Sequence, residues 1–131
     1  MMKEVELTYR VPYADTDQMG VVYYANYLVF FERSRNELMR SLGLTYKEME
    51  EKGIGLPVLE AHCNYHSPAR YDDLLTIRAR VDGFEGIKLR VKCEVKRGET
   101  LLVDGYTLHV CLDYKQLRPI RPPEWFVSLL D

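Results

Sequence analysis

Two carboxylates, Asp15 and Asp17, stand close together in the segment Tyr13-Ala14-Asp15-Thr16-Asp17-Gln18-Met19-Gly20, just ahead of an apolar run. The segment is rich in turn-forming residues and follows Pro12, so it reads as a loop. The pattern after it is helical. Backbone N–H groups at a helix start lack intrahelical partners and carry partial positive charge. They can hold a developing oxyanion, while a carboxylate on the adjoining loop acts as nucleophile or general base. On spacing alone the same loop also reads as an ordinary helix-capping segment.

The elements that must position this loop follow from periodicity. Val5, Leu7, Tyr9 and Val11 alternate with polar residues, which predicts a strand with one buried face. From about Tyr24 to Leu42 the pattern becomes helical. Its first half, Tyr23 to Phe31, is apolar on almost every side, which predicts burial there. Gly43 suits a left-handed C-terminal cap, and Thr45-Tyr46-Lys47-Glu48 has capping-box spacing for a short helix to about Lys52. Strands are expected over Leu56 to Tyr65, Leu75 to Val81, Ile87 to Val95 and Leu101 to Leu112. Gly83 to Gly86 reads as one turn and Arg97-Gly98-Glu99-Thr100 as a tight hairpin. The tail from Arg118 to Pro123 reads as extended and irregular.

The expected fold is therefore α+β, a curved antiparallel sheet of about five strands wrapped around one long central helix. With 131 residues the chain fits a single domain spanning 1–131. Long hairpin strands at a sheet edge invite a second subunit, so a homodimer or homotetramer is expected.

Composition limits the partners. A net charge of −2 does not attract polyanions, so nucleic acid is not expected and an anionic ligand needs a local cationic patch. Cys63, Cys93 and Cys111 are odd in number and form no cysteine or histidine cluster. A reducing compartment without disulfides, structural zinc or cofactor is the expectation. The N-terminus from Met1 to Glu6 has no apolar leader core, and no run approaches the roughly 20 apolar residues of a membrane span. A cytoplasmic protein without membrane insertion follows. His66 and His109 read as solitary, and His62-Cys63 as neighbours on opposite strand faces. No GxSxG or phosphate-loop glycine pattern is present.

The segment from Tyr13 to Tyr27, followed by Phe31-Glu32-Arg33-Ser34-Arg35, resembles the 4-hydroxybenzoyl-CoA thioesterase family of hot-dog-fold proteins, and within it the Tol–Pal-associated acyl-CoA thioesterases. His66-Ser67-Pro68-Ala69-Arg70-Tyr71-Asp72-Asp73-Leu74 and the proline-rich tail share the likeness. The resemblance implies hydrolysis of an acyl-CoA thioester, with Asp17 as the catalytic carboxylate and the backbone N–H of Tyr24 polarising the carbonyl. Gly20 would permit the tight loop and Asp15 would brace it. Many Tol–Pal-type relatives carry histidine where this chain has Tyr24, which removes an imidazole from that place. Coenzyme A carries phosphates. Lys88, Arg90, Lys92 and Lys96 share one strand face by alternation, and with Arg70 and Arg97 they are the candidate phosphate contacts, although a solvated outer face is the more ordinary explanation for any one of them. A hot-dog dehydratase would need a histidine near the helix entry, where none stands in sequence. A different class is a non-catalytic module binding acyl-CoA or acyl carrier protein.

Overall fold

The computed structural model describes residues 3–131, so Met1 and Met2 of the N-terminal reading lie outside the described residues. Strand β1 (Glu4–Arg10) is followed by the loop, then helix α1 (Asn26–Ser41) and the short helix α2 (Tyr46–Glu51). Strands β2 (Ile54–Gly55), β3 (Val58–Tyr65), β4 (Leu74–Glu85), β5 (Lys88–Arg97), β6 (Thr100–His109), β7 (Cys111–Asp113) and β8 (Arg118–Ile120) come next, and α3 (Glu124–Leu130) closes the chain.

The main sheet has five strands in the order β1-β4-β5-β6-β3, all antiparallel, which matches the expected number. The alternation that predicted the strands sets its two faces. Leu75, Ile77, Ala79 and Val81 on β4 and Leu89, Val91, Cys93 and Val95 on β5 are buried. They face Tyr27, Phe30, Phe31, Leu38 and Met39 of α1, which recur at helical spacing and pack chiefly against β4. Among the described residues, no helix is long and apolar enough to cross a membrane.

Several expectations need correction. Among the described residues the α-helices are three rather than one long and one short, the loop itself opens with a 3-10 turn (Tyr13–Asp15), and α1 begins at Asn26, two residues after Tyr24. Its first half is not buried all round. Leu28 and Val29 are exposed at 41% and 47%, because the sheet covers only the side carrying Tyr27, Phe30 and Phe31. Gly83 is not in a turn. It takes φ +102° at a register shift between Val81 and Gly83, so β4 absorbs it as a bulge and runs on to Glu85. The turn is Gly86-Ile87, with Glu85 paired to Lys88.

The strand expected over Leu101 to Leu112 breaks after His109. Its end, β7, joins β2 and β8 in a separate three-stranded sheet. The tail is likewise not irregular throughout, since Arg118–Ile120 pairs with β7 and α3 buries Phe126 and Leu130. Gly43, at φ +84°, caps α1 as expected, with the N–H of Leu44 reaching the carbonyl of Met39 at 3.1 Å. Thr45 caps α2 by accepting from the N–H of Glu48 at 3.1 Å.

Candidate active site

The loop between β1 and α1 is held by its own backbone. Asp17 N–H donates to the carbonyl of Val21 and Gly20 N–H to that of Asp17, each at 2.9 Å, while Thr16 bridges Val22. Gly20 closes this turn at φ +76°, a conformation that L side chains rarely adopt. One carboxylate oxygen of Asp17, Oδ1, accepts the N–H of Met19 at 2.9 Å, so the side chain is fixed at the turn while remaining partly exposed. Asp17 also bears on the phenol of Tyr23. That pKa is raised first by the hydrogen bond to Tyr24 and by its charge, with burial and the Asp17 carboxylate adding to it.

Asp15 is committed on both ends. Its carboxylate accepts the Tyr9 hydroxyl at 2.5 Å. Its carbonyl accepts the N–H of Tyr23 and the side-chain amide of Asn26, each at 2.9 Å. Burial, followed by this bond to Asp15, pushes the Tyr9 phenol up to about 12. Asp15 therefore ties β1, the loop and the first residue of α1 together.

The backbone N–H of Tyr24, like that of Ala25, is left without an acceptor among the described residues, whereas those of Val22, Tyr23 and Asn26 are all bonded. It lies at the entry to a 16-residue helix, where the unpaired amides carry partial positive charge. The Tyr24 carbonyl accepts the Tyr65 hydroxyl at 3.2 Å. Beside it opens a cavity of about 270 Å³ lined by Val21, Val22, Tyr24, Tyr27, Tyr65, His66, Ser67 and Pro68.

The segment after β3 forms the opposite wall. Val22 N–H donates to the Ala69 carbonyl at 2.8 Å, Val21 bridges Arg70, and Ala69 N–H donates to the Tyr27 hydroxyl at 3.2 Å. Asp73 accepts the Arg70 N–H and the Arg97 guanidinium, both at 2.8 Å. Burial raises the Asp73 pKa, but these two donors outweigh it and hold the carboxyl below the ordinary range. Arg97 also donates to the Pro68 carbonyl at 3.2 Å, so it clamps this wall.

The candidate phosphate contacts therefore separate into two groups. Arg70 and Arg97 adjoin the cavity segment. Lys88, Arg90, Lys92 and Lys96 alternate with the buried residues of β5 and lie on the sheet face turned away from α1. There Arg90 pairs with Glu85 at 2.9 Å and lies over the Tyr106 ring at 4.1 Å. Lys92 is 3.7 Å from Asp82, and Lys96 4.0 Å from Glu94. Within one chain this stripe does not reach the cavity beside Tyr24.

The sequence reading also missed two residues. His66 is not solitary, because its Nε2 lies 2.9 Å from Asp104 and the residue is among those lining the cavity of Tyr24. An imidazole thus does stand near the helix entry, brought from the end of β3. His109 is not solitary either. It is buried, with Nε2 2.8 Å from the Thr107 hydroxyl and Nδ1 3.2 Å from the Leu56 carbonyl. The register that sets Asn64 opposite Asp104 was the missing signal for His66.

A family model described as the thioesterase-like superfamily matches residues 11–130. The chain belongs to that superfamily. Acyl-CoA thioester hydrolase YbgC of Escherichia coli is 33% identical over 120 residues, covering 91% of this chain and 90% of that protein. Acyl-CoA thioesterase YbgC of Haemophilus influenzae is 34% identical, with 88% and 85% covered. Among solved structures, a hypothetical protein TT1821 from Thermus thermophilus superposes with a TM-score of 0.89 at 33% identity and 95% coverage of both chains. The architecture of this superfamily member is the hot-dog thioesterase fold with its antiparallel sheet.

Proposed function

We propose that this acyl-CoA thioesterase hydrolyses its substrate with Asp17 as the catalytic carboxylate and the Tyr24 N–H as the group that polarises the thioester carbonyl. The observation that carries the reading is the unbonded Tyr24 N–H at the entry to α1, on the loop whose turn fixes Asp17. A carbonyl oxygen placed there gains negative charge in the transition state and meets a donor that needs no reorganisation. Asp17 then attacks the carbonyl carbon or takes a proton from an attacking water. Gly20 and Asp15 hold the loop, and Arg70 and Arg97 are the nearer cations for the coenzyme A phosphates. YbgC of Escherichia coli is named an acyl-CoA thioester hydrolase, which supports acyl-CoA as the substrate here. The long motif from Tyr13 to Tyr27 supports the Tol–Pal-associated type within the family.

The same reading makes the protein a cytoplasmic homodimer or homotetramer with its site at a subunit boundary. Strand β3 is an open sheet edge, exposed along nearly its whole length. Val58, Leu59 and Tyr65 on it, with Tyr24, Leu28 and Val29 near the helix entry, are large apolar residues left facing solvent by a single chain.

The test is thiol release measured over short, long and aromatic acyl-CoAs, together with sedimentation at micromolar concentration. Hydrolysis of at least one class and a mass above one subunit are expected. No thiol release from any of them, or a 15.4 kDa monomer, overturns the corresponding part.

A further inference from the structure

The outer face of the main sheet carries a second cavity, of about 360 Å³, within the usual size of small-molecule sites, roughly 300–1,000 Å³. Its walls are two cross-strand rows. In one, Arg80 of β4 stands opposite Lys92 of β5, Lys92 opposite Tyr106 of β6, and Tyr106 opposite His62 of β3. In the next, Arg78 stands opposite Glu94, and Glu94 opposite Asp104. Toward β1 the signs alternate as on an ordinary solvated face, with Glu4 opposite Arg80 and Glu6 opposite Arg78. Inside the cavity they do not. Arg80 and Lys92 set two cations directly against each other, and Glu94 and Asp104 two carboxylates. Like charges directly opposite destabilise a sheet. The rim gives partial relief, with Asp82 3.7 Å from Lys92 and Glu6 3.6 Å from Arg78, but such exposed pairs are weak. The hydrogen bond from His66, aided by one from Asn64, outweighs burial and holds the Asp104 carboxyl below its usual range. The ring wall is set in advance. Arg90 lies over the Tyr106 ring at 4.1 Å, and the Tyr106 hydroxyl donates to Glu60. His62 stacks on Tyr106 with centroids 5.4 Å and planes 21° apart, while remaining exposed.

We propose that this cavity is a second binding site and that it takes a nucleoside phosphate. The phosphate sits between Arg80 and Lys92, with Arg78 beside them, where its charge relieves the opposed cations. The base packs against the exposed His62 ring, which Tyr106 backs. Amino or hydroxyl groups of the base and ribose donate to Glu94 and Asp104, which accept only when ionised as they are here. Inorganic phosphate would leave the two carboxylates opposed, and a sugar phosphate would leave the ring wall bare. A nucleoside phosphate meets all three walls at once. The site is separate from the reaction cavity, since the two share no lining residue. A strand added at the β3 edge extends the sheet sideways and leaves this face open. The proposal therefore does not rest on the roles of Asp17 and Tyr24.

The experiment is calorimetric titration of the full protein at low ionic strength with adenosine 5′-monophosphate, ribose 5-phosphate and adenosine. Saturable binding of the monophosphate is expected. The other two should bind at least roughly 10-fold more weakly, the size of a lost charge-assisted contact or a lost stack. Arg80→Gln, Lys92→Gln and His62→Ala should each weaken the monophosphate by about the same factor, roughly 10-fold. These substitutions leave the core untouched, and circular dichroism checks the fold. Repeating the titration with coenzyme A present identifies the source of the ligand. A monophosphate that stays bound assigns the site to a free nucleotide, and one that is displaced assigns it to the nucleotide end of coenzyme A. Absence of saturable binding to the folded wild type overturns the proposal. So does an affinity that none of the three outer-face substitutions changes, or a loss found only in Arg97→Gln, which would place the nucleotide at the reaction cavity. Binding is read without turnover, so its failure is distinct from a failure to hydrolyse acyl-CoA.

Discussion

The loop ahead of α1 and the outer face of the main sheet are both polar, yet they treat their charged groups in opposite ways. On the outer face, Arg90, Lys92 and Lys96 each lie within 4.0 Å of a carboxylate. Such exposed pairs are weak and interchangeable, and they suit solubility. In the loop, Asp15 is used up by three hydrogen bonds so that its neighbours can be left incomplete. Asp17 is held through one oxygen, and the Tyr24 N–H has no acceptor among the described residues. A row of like charges in a sequence is therefore a poorer guide to chemistry than a group whose surroundings are bonded while it is not.

The comparison breaks most sharply at Asp17. Asn keeps the shape but neither attacks as a carboxylate nor takes a proton from water. Asp17→Asn should lower kcat by roughly 10²–10⁴-fold with the fold intact. A folded variant with near-normal kcat would remove the loop from the chemistry. Asp15→Asn should behave differently, losing less activity but destabilising the protein by about 1–3 kcal/mol in urea unfolding, because the partly buried Tyr9 hydroxyl loses its carboxylate. Equal kcat losses for the two variants would show that Asp15 does more than brace.

Acid stability tests a polar group that belongs to neither region. Burial, and then the Arg35 charge, hold His109 down to about 4 from its ordinary 6.5. The unfolded chain binds this proton more readily. The contribution to stability is therefore complete above about pH 6.5 and declines as the pH falls toward 4, by at most about 3 kcal/mol. Urea midpoints for wild type and His109→Gln across that range should differ in slope, with the variant flatter. Parallel slopes would mean that His109 ionises freely in the folded protein.

The smallest effects belong to the outer face. Arg90→Gln and Lys92→Gln should each change KM by less than about fivefold, as expected for losing a surface ion pair. Arg97→Gln should raise KM further, since Arg97 clamps the Pro68 carbonyl and Asp73 at the cavity wall. KM should also rise with ionic strength if coenzyme A phosphates meet these cations. A stripe variant that outweighs Arg97→Gln would place the phosphates on the outer face.

Much of this was legible from local pattern. The alternation in β1, β4 and β5, the start of β6 and the Gly43 cap are properties of neighbouring residues, and they came through. Gly83 misled because a bulge and a turn ask the same freedom of glycine, and only the partner strand distinguishes them. Helix α3 was missed because seven residues after two prolines are too few to display a period. At the site, Asp15, Asp17 and Gly20 were visible as a contiguous motif. His66 was not, since its partner Asp104 lies 38 positions away and only strand pairing brings the two together. Leu28 and Val29 are exposed where the apolar run predicts burial, because apolar character says that a face wants cover, not that the same chain supplies it.

The bonds that close the loop also fix when the site can exist. Residues 13–24 leave the ribosome before the segments they bond, since Val22 must bond Ala69 and the N–H of Asp72 must reach Val11, far apart along the chain. Tyr9, which anchors Asp15, is itself held in register by Leu75. Contacts so distant in sequence form only after the intervening chain has been ordered. The first part of the reaction centre to be synthesised is thus among the last to be assembled, and a nascent chain stopped before β4 carries the motif without the machinery.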